Sequence, residues 1–390
     1  MTSAERHEAR YQRRKKKRLE RLAARNAEIG GLEEVFRYSK LFKAGLACRK
    51  GVRYKDSTRN FERHLLSGTS RRKREVLAGT WKPKPYNRFK LKERGKVREI
   101  AAPHITDRQA HKCYTKGVLL PLYMPSMIYD NGASLPGKGF HFQKRRLEKY
   151  LRWHIRHYGR AGGIFLMDFK GFFPNAPHET ILARHERYIL DTRLRELGDK
   201  IVKTPTEYDT RRIGGKRCRV PIPPARGMGI GVEPSQAEMV ALPSALDNLL
   251  KCQLSIKGAA HYMDDYNVGG PDLDDLREIA AGAMAYAESM GIKVNRDKSR
   301  VIPFGKPFRF CKAGYIITET GGVKVKGNRT AGTRAYKRLR ALYRKYQRGE
   351  ITRADLDNSY KCTLAYFDNY DDHKRKLRLM WIYHSYFGKG

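Results

Sequence analysis

Two apolar segments far apart in the chain each deliver carboxylates to the end of a strand. AGGIFLMDFKGFF runs through Ile164–Met167 and closes on Asp168. About a hundred residues on, KGAAHYMDDYNVGG reads as a hairpin with Asp264 and Asp265 at its turn. A lone Asp-Asp pair is common on surfaces, but this one is flanked by apolar and aromatic residues, which argues against an ordinary solvated turn. The remaining segments carry mostly helical patterns, so the expected class is α+β.

Charge narrows the partner. The chain holds 82 Lys and Arg against 40 Asp and Glu, a formal net charge of +42 spread along its length. Neutralised phosphates release condensed counterions, so a polyanion is the natural partner for such a surface. No run reaches the roughly 20 apolar residues of a membrane span, and no apolar region follows the basic start MTSAERHEARYQRRKKKR. A cytoplasmic protein without membrane contact is expected. Six cysteines lie far apart with no CxxC pair, which predicts free thiols.

Along the chain, residues 1–30 form a basic extension, readable as a solvated helix or a phosphate-contacting arm. Helical patterns from Leu32 to Leu77 break at Gly51 and Gly68, and TWKPKPYNRF is extended. FKLKERGKVREI alternates around Arg94-Gly95 and predicts a basic β-hairpin. Helices are expected between the two acidic segments. Beyond Thr333, Tyr336, Leu339, Tyr343 and Tyr346 form a helical core stripe, with Lys337, Arg338, Arg340, Arg344 and Lys345 on the other faces.

Carboxylates gathered this way suit nucleotidyl transfer. That reaction uses two Mg2+ ions about 3.5–4 Å apart, which prefer hard oxygen ligands and keep positions open for phosphate and water. The glycines of RGMGIGVEPSQ would let backbone approach a nucleotide, with Ser235 and Gln236 able to hydrogen-bond base or sugar.

Taken in order, FLMDFKGFF, RGMGIGVEPSQ, HYMDDYNV, GIKVNRDKSRV and FRFCKAGYII resemble the motif series of the reverse transcriptases, over roughly residues 32 to 390. The resemblance implies a right-hand polymerase, with an N-terminal segment and fingers over 31–160, a palm over 161–320 and a helical thumb over 321–390. It implies RNA-directed DNA synthesis from dNTPs, with Mg2+ held by Asp168, Asp264 and Asp265 and Mn2+ able to substitute. Lys298 matches a general acid for pyrophosphate, and Lys92 with Arg98 a pair gripping the triphosphate. Phe173, five positions after Asp168, falls where the family places a steric gate against a 2'-hydroxyl. Phe169, Gly231, Ser235 and Gln236 fall on the dNTP side, and Phe310 and Tyr315 on a primer grip. Partners implied are an RNA template, its RNA/DNA hybrid and dNTPs.

Within the class, PHITDRQAHK, YDNGASLPGKGFH and the Ser-Gln ending of EPSQ are most similar to the bacterial enzymes of diversity-generating retroelements. That lineage implies a structured non-coding RNA and a small basic accessory protein. A phage-defence reverse transcriptase, an inactive maturase-like RNA-binding scaffold and an RNA-dependent RNA polymerase are the alternatives. The three aspartates with Lys92, Arg98 and Phe173 speak against a scaffold, and Phe173 against an RNA polymerase.

Overall fold

The computed structural model describes residues 2–93, 95–204, 207–222 and 225–387. The chain divides into two compact units that interleave in sequence: Met1–Tyr129, Phe169–Gln253 and Ala283–Val294 form the first, and Asp130–Asp168, Leu254–Gly282 and Asn295–Gly390 the second. It is a mixed α+β structure with antiparallel sheets, as the patterning predicts. Its strands are β1 (Asn87–Glu93), β2 (Lys96–Ala102), β3 (Gly163–Asp168), β4 (Glu207–Ile213), β5 (Lys216–Ile222), β6 (Ala260–Tyr262), β7 (Asp265–Gly270), β8 (Arg300–Pro303), β9 (Phe308–Phe310), β10 (Ala313–Ile317) and β11 (Val323–Lys326).

The first unit is mainly helical. Its opening helix, Ser3–Ile29, starts on a capping box between Thr2 and Glu5 and buries none of its residues, so the basic extension is a solvated helix. Near the end of that helix, Asn26 donates to the Tyr188 carbonyl at 3.1 Å and accepts from the Leu190 amide at 3.0 Å. The core gathers Phe36, Trp81, Tyr114, Tyr123 and Ile189. Gly68 lies inside the helix Leu65–Leu77; the break expected there falls instead at His64, which leaves the helical region at φ −107°.

Under that core, His185 is buried between two carboxylates, 2.7 Å from Asp199 and 2.9 Å from Glu238. Burial alone would lower its pKa, but the Glu238 and Asp199 charges outweigh it and hold the imidazole up at about 9.

Hairpins project from this helical body. The β1–β2 pair forms as the alternation predicts, with Arg94 of its expected turn outside the described residues. A second hairpin, β4–β5, stands where helices alone were expected. Gly214 and Gly215 join its strands at φ +57° and +80°, the doubly left-handed turn that matches strand twist and that glycine adopts freely.

The second unit holds a four-stranded sheet in the order β6-β7-β3-β8 and a three-stranded sheet in the order β11-β10-β9. β3 is central, which explains its nearly unbroken apolar run: Ile164, Phe165 and Met167 are all buried. The helix Phe140–Tyr158 supplies Leu147 and Leu151 to a core shared with Ile164, Phe304, Phe308 and Tyr315. Gly258 and Gly269 make room for its Tyr150, since a Cβ at either would lie 2.3 or 2.4 Å from the ring.

Helices Ala331–Gln347, Arg353–Asp368 and His373–Ser385 pack around Leu339, Leu356, Phe367, Leu379 and Ile382. The expected stripe faces that core: Leu339 is buried, Tyr336 and Tyr343 pack against it, and Tyr343 stacks on Tyr386 at 3.9 Å. Among the described residues no helix is long and apolar enough to cross a membrane. All six cysteines are free thiols.

Candidate active site

Antiparallel pairing of β3 with β7 sets Asp168 directly opposite Asp265. Pairing of β6 with β7 sets Tyr262 opposite Asp265, which leaves Met263 and Asp264 as a two-residue turn. Met263 sits at φ +62°, the left-handed region that such turns usually give to glycine. An L residue there costs about 1–2 kcal/mol, and the flanking ladder holds it in place. The three aspartates predicted from sequence are thus gathered at one end of one sheet.

Facing residues of an antiparallel pair have Cβ atoms about 4.5–5.5 Å apart, and like charges there repel. Burial, reinforced by the Asp264 and Asp168 charges and only partly offset by Lys298 and Lys312, pushes the Asp265 carboxyl up to about 7.

Asp168 is anchored by the turn before β8. Its Oδ2 accepts from Asn295 Nδ2 at 2.8 Å and from Lys298 Nζ at 3.3 Å. Its carbonyl accepts from the Asn295 amide at 2.8 Å, and its amide donates to Ser299 Oγ at 3.3 Å. Lys298 therefore stands beside Asp168. Asn295 and Ser299 were not legible as site residues, and the only sequence signal was their place in NRDKS after GIKV.

Among the described residues no three His, Cys, Asp or Glu side chains stand together closely enough to hold an ion unaided. The donor set still suits Mg2+: Asp168, Asp264 and Asp265 offer hard oxygens only, and few of them. Two of them face each other in register, an arrangement a cation would relieve.

In the first unit the fold assembles a second group of expected residues. The Phe173 carbonyl accepts from the Met228 amide at 2.8 Å, and the Gly227 amide donates to the Ala176 carbonyl at 2.9 Å. Gly227 takes φ +98°, and a Cβ there would lie 2.9 Å from the Pro174 carbonyl oxygen. The Ala101 amide of β2 donates to the Ile230 carbonyl at 3.0 Å, which ties the basic hairpin to the Gly-rich segment. Phe173 is half-buried, its ring edge-on to Phe172. Gly231 and Gln236 are exposed.

Other expected residues are less open or less closely grouped than a shared binding surface requires. Register pairs Lys92 with Val97 and Leu91 with Arg98; paired residues share a face and neighbours alternate, so Lys92 and Arg98 point to opposite faces and form no joint clamp. Ser235 is 2% exposed on the inner side of the helix Glu233–Ala241 and cannot reach a ligand directly. Phe169 is likewise 2% exposed, with its backbone bridged to Val294. Phe310 and Tyr315 belong to the core, and Tyr315 stacks on Phe308 at 5.2 Å, so they shape the β9–β10 hairpin without lining a groove.

No family model and no curated protein matches the chain. Among solved structures, telomerase from Candida albicans in complex with a fragment of telomeric RNA is similar at 13% identity and a TM-score of 0.46, over 79% of this chain and 63% of that one. Apo telomerase from Candida tropicalis truncated from its C-terminal domain is similar at 11% identity and a TM-score of 0.41, over 64% of this chain and 58% of that one. The chain thus spans less than two thirds of either structure's length. Neither likeness carries weight in assigning chemistry to the site.

Proposed function

We propose that the chain is an RNA-directed DNA polymerase of the right-hand kind, extending a primer with dNTPs on an RNA template and releasing pyrophosphate. The observation that carries this reading is Asp168 facing Asp265 across the β3–β7 ladder, with Asp264 in the adjoining strained turn. Half-buried like charges held in register are costly, and a cation bound between them would offset that cost.

Asp168, Asp264 and Asp265 would hold Mg2+, with Mn2+ able to substitute; bound there, the metal would lower the pKa of the primer 3'-hydroxyl and neutralise charge on the triphosphate. Asn295 fixes the Asp168 carboxylate in rotation through its 2.8 Å hydrogen bond. Lys298, exposed and 3.3 Å from Asp168, supplies a proton to the departing pyrophosphate. Phe173 closes the space a ribose 2'-hydroxyl would need, which selects dNTPs. Arg98 on its own face of the hairpin offers a fork of donors to phosphate.

In this reading the first unit contributes fingers, the sheet carrying the aspartates is the palm, and the helices Ala331–Gln347, Arg353–Asp368 and His373–Ser385 are the thumb. Arg338, Arg340 and Arg344 lie exposed on the first of these and suit a template–primer duplex. The test is extension of a DNA primer annealed to RNA: incorporation of dNTPs in preference to NTPs is expected, and no incorporation of either contradicts the proposal.

The biological setting we propose is a diversity-generating retroelement, with a structured RNA and a small basic accessory protein as partners. Flanking DNA should then carry an imperfect repeat whose copies differ mainly at template adenines. A neighbouring structured RNA without such a repeat would point to phage defence instead.

A further inference from the structure

The first unit contains a cavity of about 680 Å³. It lies between the helices Asp56–Arg63 and Leu65–Leu77 and the start of the helix Ile105–Tyr114, and shares no residue with the aspartate cluster. Arg71, Arg72 and Arg74 line it from one helix and Lys84 from the loop that follows. Among the described residues no carboxylate lines it.

Arg72 is the built part of this wall. It is 7% exposed, and its Nη1 donates to Glu75 at 2.7 Å while its Nη2 lies 3.9 Å from Asp107. Those acids orient the guanidinium, yet its Nε has no hydrogen-bond partner. A buried donor left unpaired costs about 1–3 kcal/mol. The N-terminus of the helix Ile105–Tyr114 adds its positive dipole end: the His104 side chain caps the Thr106 amide at 3.3 Å, and both residues line the cavity. Phe61 and His104 also line the cavity, and aromatic rings can stack a base. The volume falls within the roughly 300–1,000 Å³ of small-ligand sites.

We infer that this cavity binds a nucleotide unit, with its phosphate on Arg71, Arg72 and Arg74 and its base against Phe61 and His104. The unit is either a free nucleotide or one residue of a single-stranded RNA, and the two share this chemistry. The site stands independently of the polymerase reading, because none of its residues serves that reaction.

The test titrates the full chain with AMP by calorimetry and with a short fluorescein-labelled single-stranded RNA by anisotropy. Four proteins are compared: wild type; Arg71→Ala with Arg74→Ala; Ser67→Asp, which places a carboxylate on the exposed rim; and a control, Arg152→Ala with Arg156→Ala, which removes equal charge from exposed positions of the helix Phe140–Tyr158. If a free nucleotide is the ligand, AMP binds wild type and control alike and both cavity variants weaken it about ten-fold or more, the scale of a lost charge-assisted hydrogen bond. If a strand is the ligand, AMP does not bind, but RNA affinity falls about ten-fold further in the cavity variants than in the control. AMP binding that ignores the cavity variants overturns the inference. So does an absence of AMP binding together with equal RNA losses in cavity and control variants.

Discussion

Asp168 and Asp265 occupy facing positions on the neighbouring strands β3 and β7. Burial and the neighbouring Asp264 and Asp168 charges raise the Asp265 carboxyl to about 7. The unfolded chain binds fewer protons than the folded one between the ordinary carboxylate value and that point, so folding stability falls as pH rises through it. Without divalent metal, Asp265→Asn should therefore raise stability at pH 8 by about 1–3 kcal/mol more than it does at pH 5. Denaturant melts at the two pH values, with chelator, measure this; equal effects at both would remove the electrostatic explanation.

Opposite-facing Lys92 and Arg98 have a kinetic consequence. Two residues gripping one triphosphate should couple by about 0.5–3 kcal/mol in a double-mutant cycle, whereas independent residues add within about 0.5 kcal/mol. The β1–β2 register predicts additivity in kcat/KM for dNTP across Lys92→Ala, Arg98→Ala and the double variant. A strong coupling energy would mean that the hairpin twists both onto one ligand.

Phe173 is half-buried and braced by Phe172. Phe173→Ala should raise the kcat/KM ratio of NTP to dNTP by about ten-fold or more, the scale at which a steric contact of 1–3 kcal/mol discriminates substrates. An unchanged ratio would remove Phe173 from the gate.

The imidazole of His185 is held up at about 9 by Glu238 and Asp199. Its pKa in the folded chain lies above the value near 6.5 of an unfolded one. The stability it contributes is thus complete below about pH 6.5 and disappears as pH climbs through about 9. Melting temperature should decline across that window, and His185→Leu should flatten the decline. His185→Leu leaves the buried Glu238 and the half-buried Asp199 without their cation and should cost about 3–5 kcal/mol near neutral pH.

How much of this was legible beforehand varies by element. β3 and the β6–β7 hairpin were readable because a central strand is apolar throughout and the acidic turn interrupts it, and the β1–β2 hairpin because its alternation is regular. The face taken by Lys92 was not readable, because a one-residue change of register reverses it. The β4–β5 hairpin escaped notice although Gly214-Gly215 between alternating residues was the available signal. Phe310 and Tyr315 look like binding aromatics in a string of letters, and only their packing on Phe308 shows them as core. Asn295 follows from tertiary placement, since its hydrogen bond to Asp168 spans 127 positions.

The most direct test of the central claim is Asp264→Ala in extension of a primed RNA template with dNTPs. The variant removes one of the carboxylates proposed to hold metal and leaves every basic side chain in place. It should lose all measurable incorporation while binding the primed template with unchanged affinity. Incorporation at the wild-type rate would contradict the assignment of Asp168, Asp264 and Asp265 as the catalytic cluster.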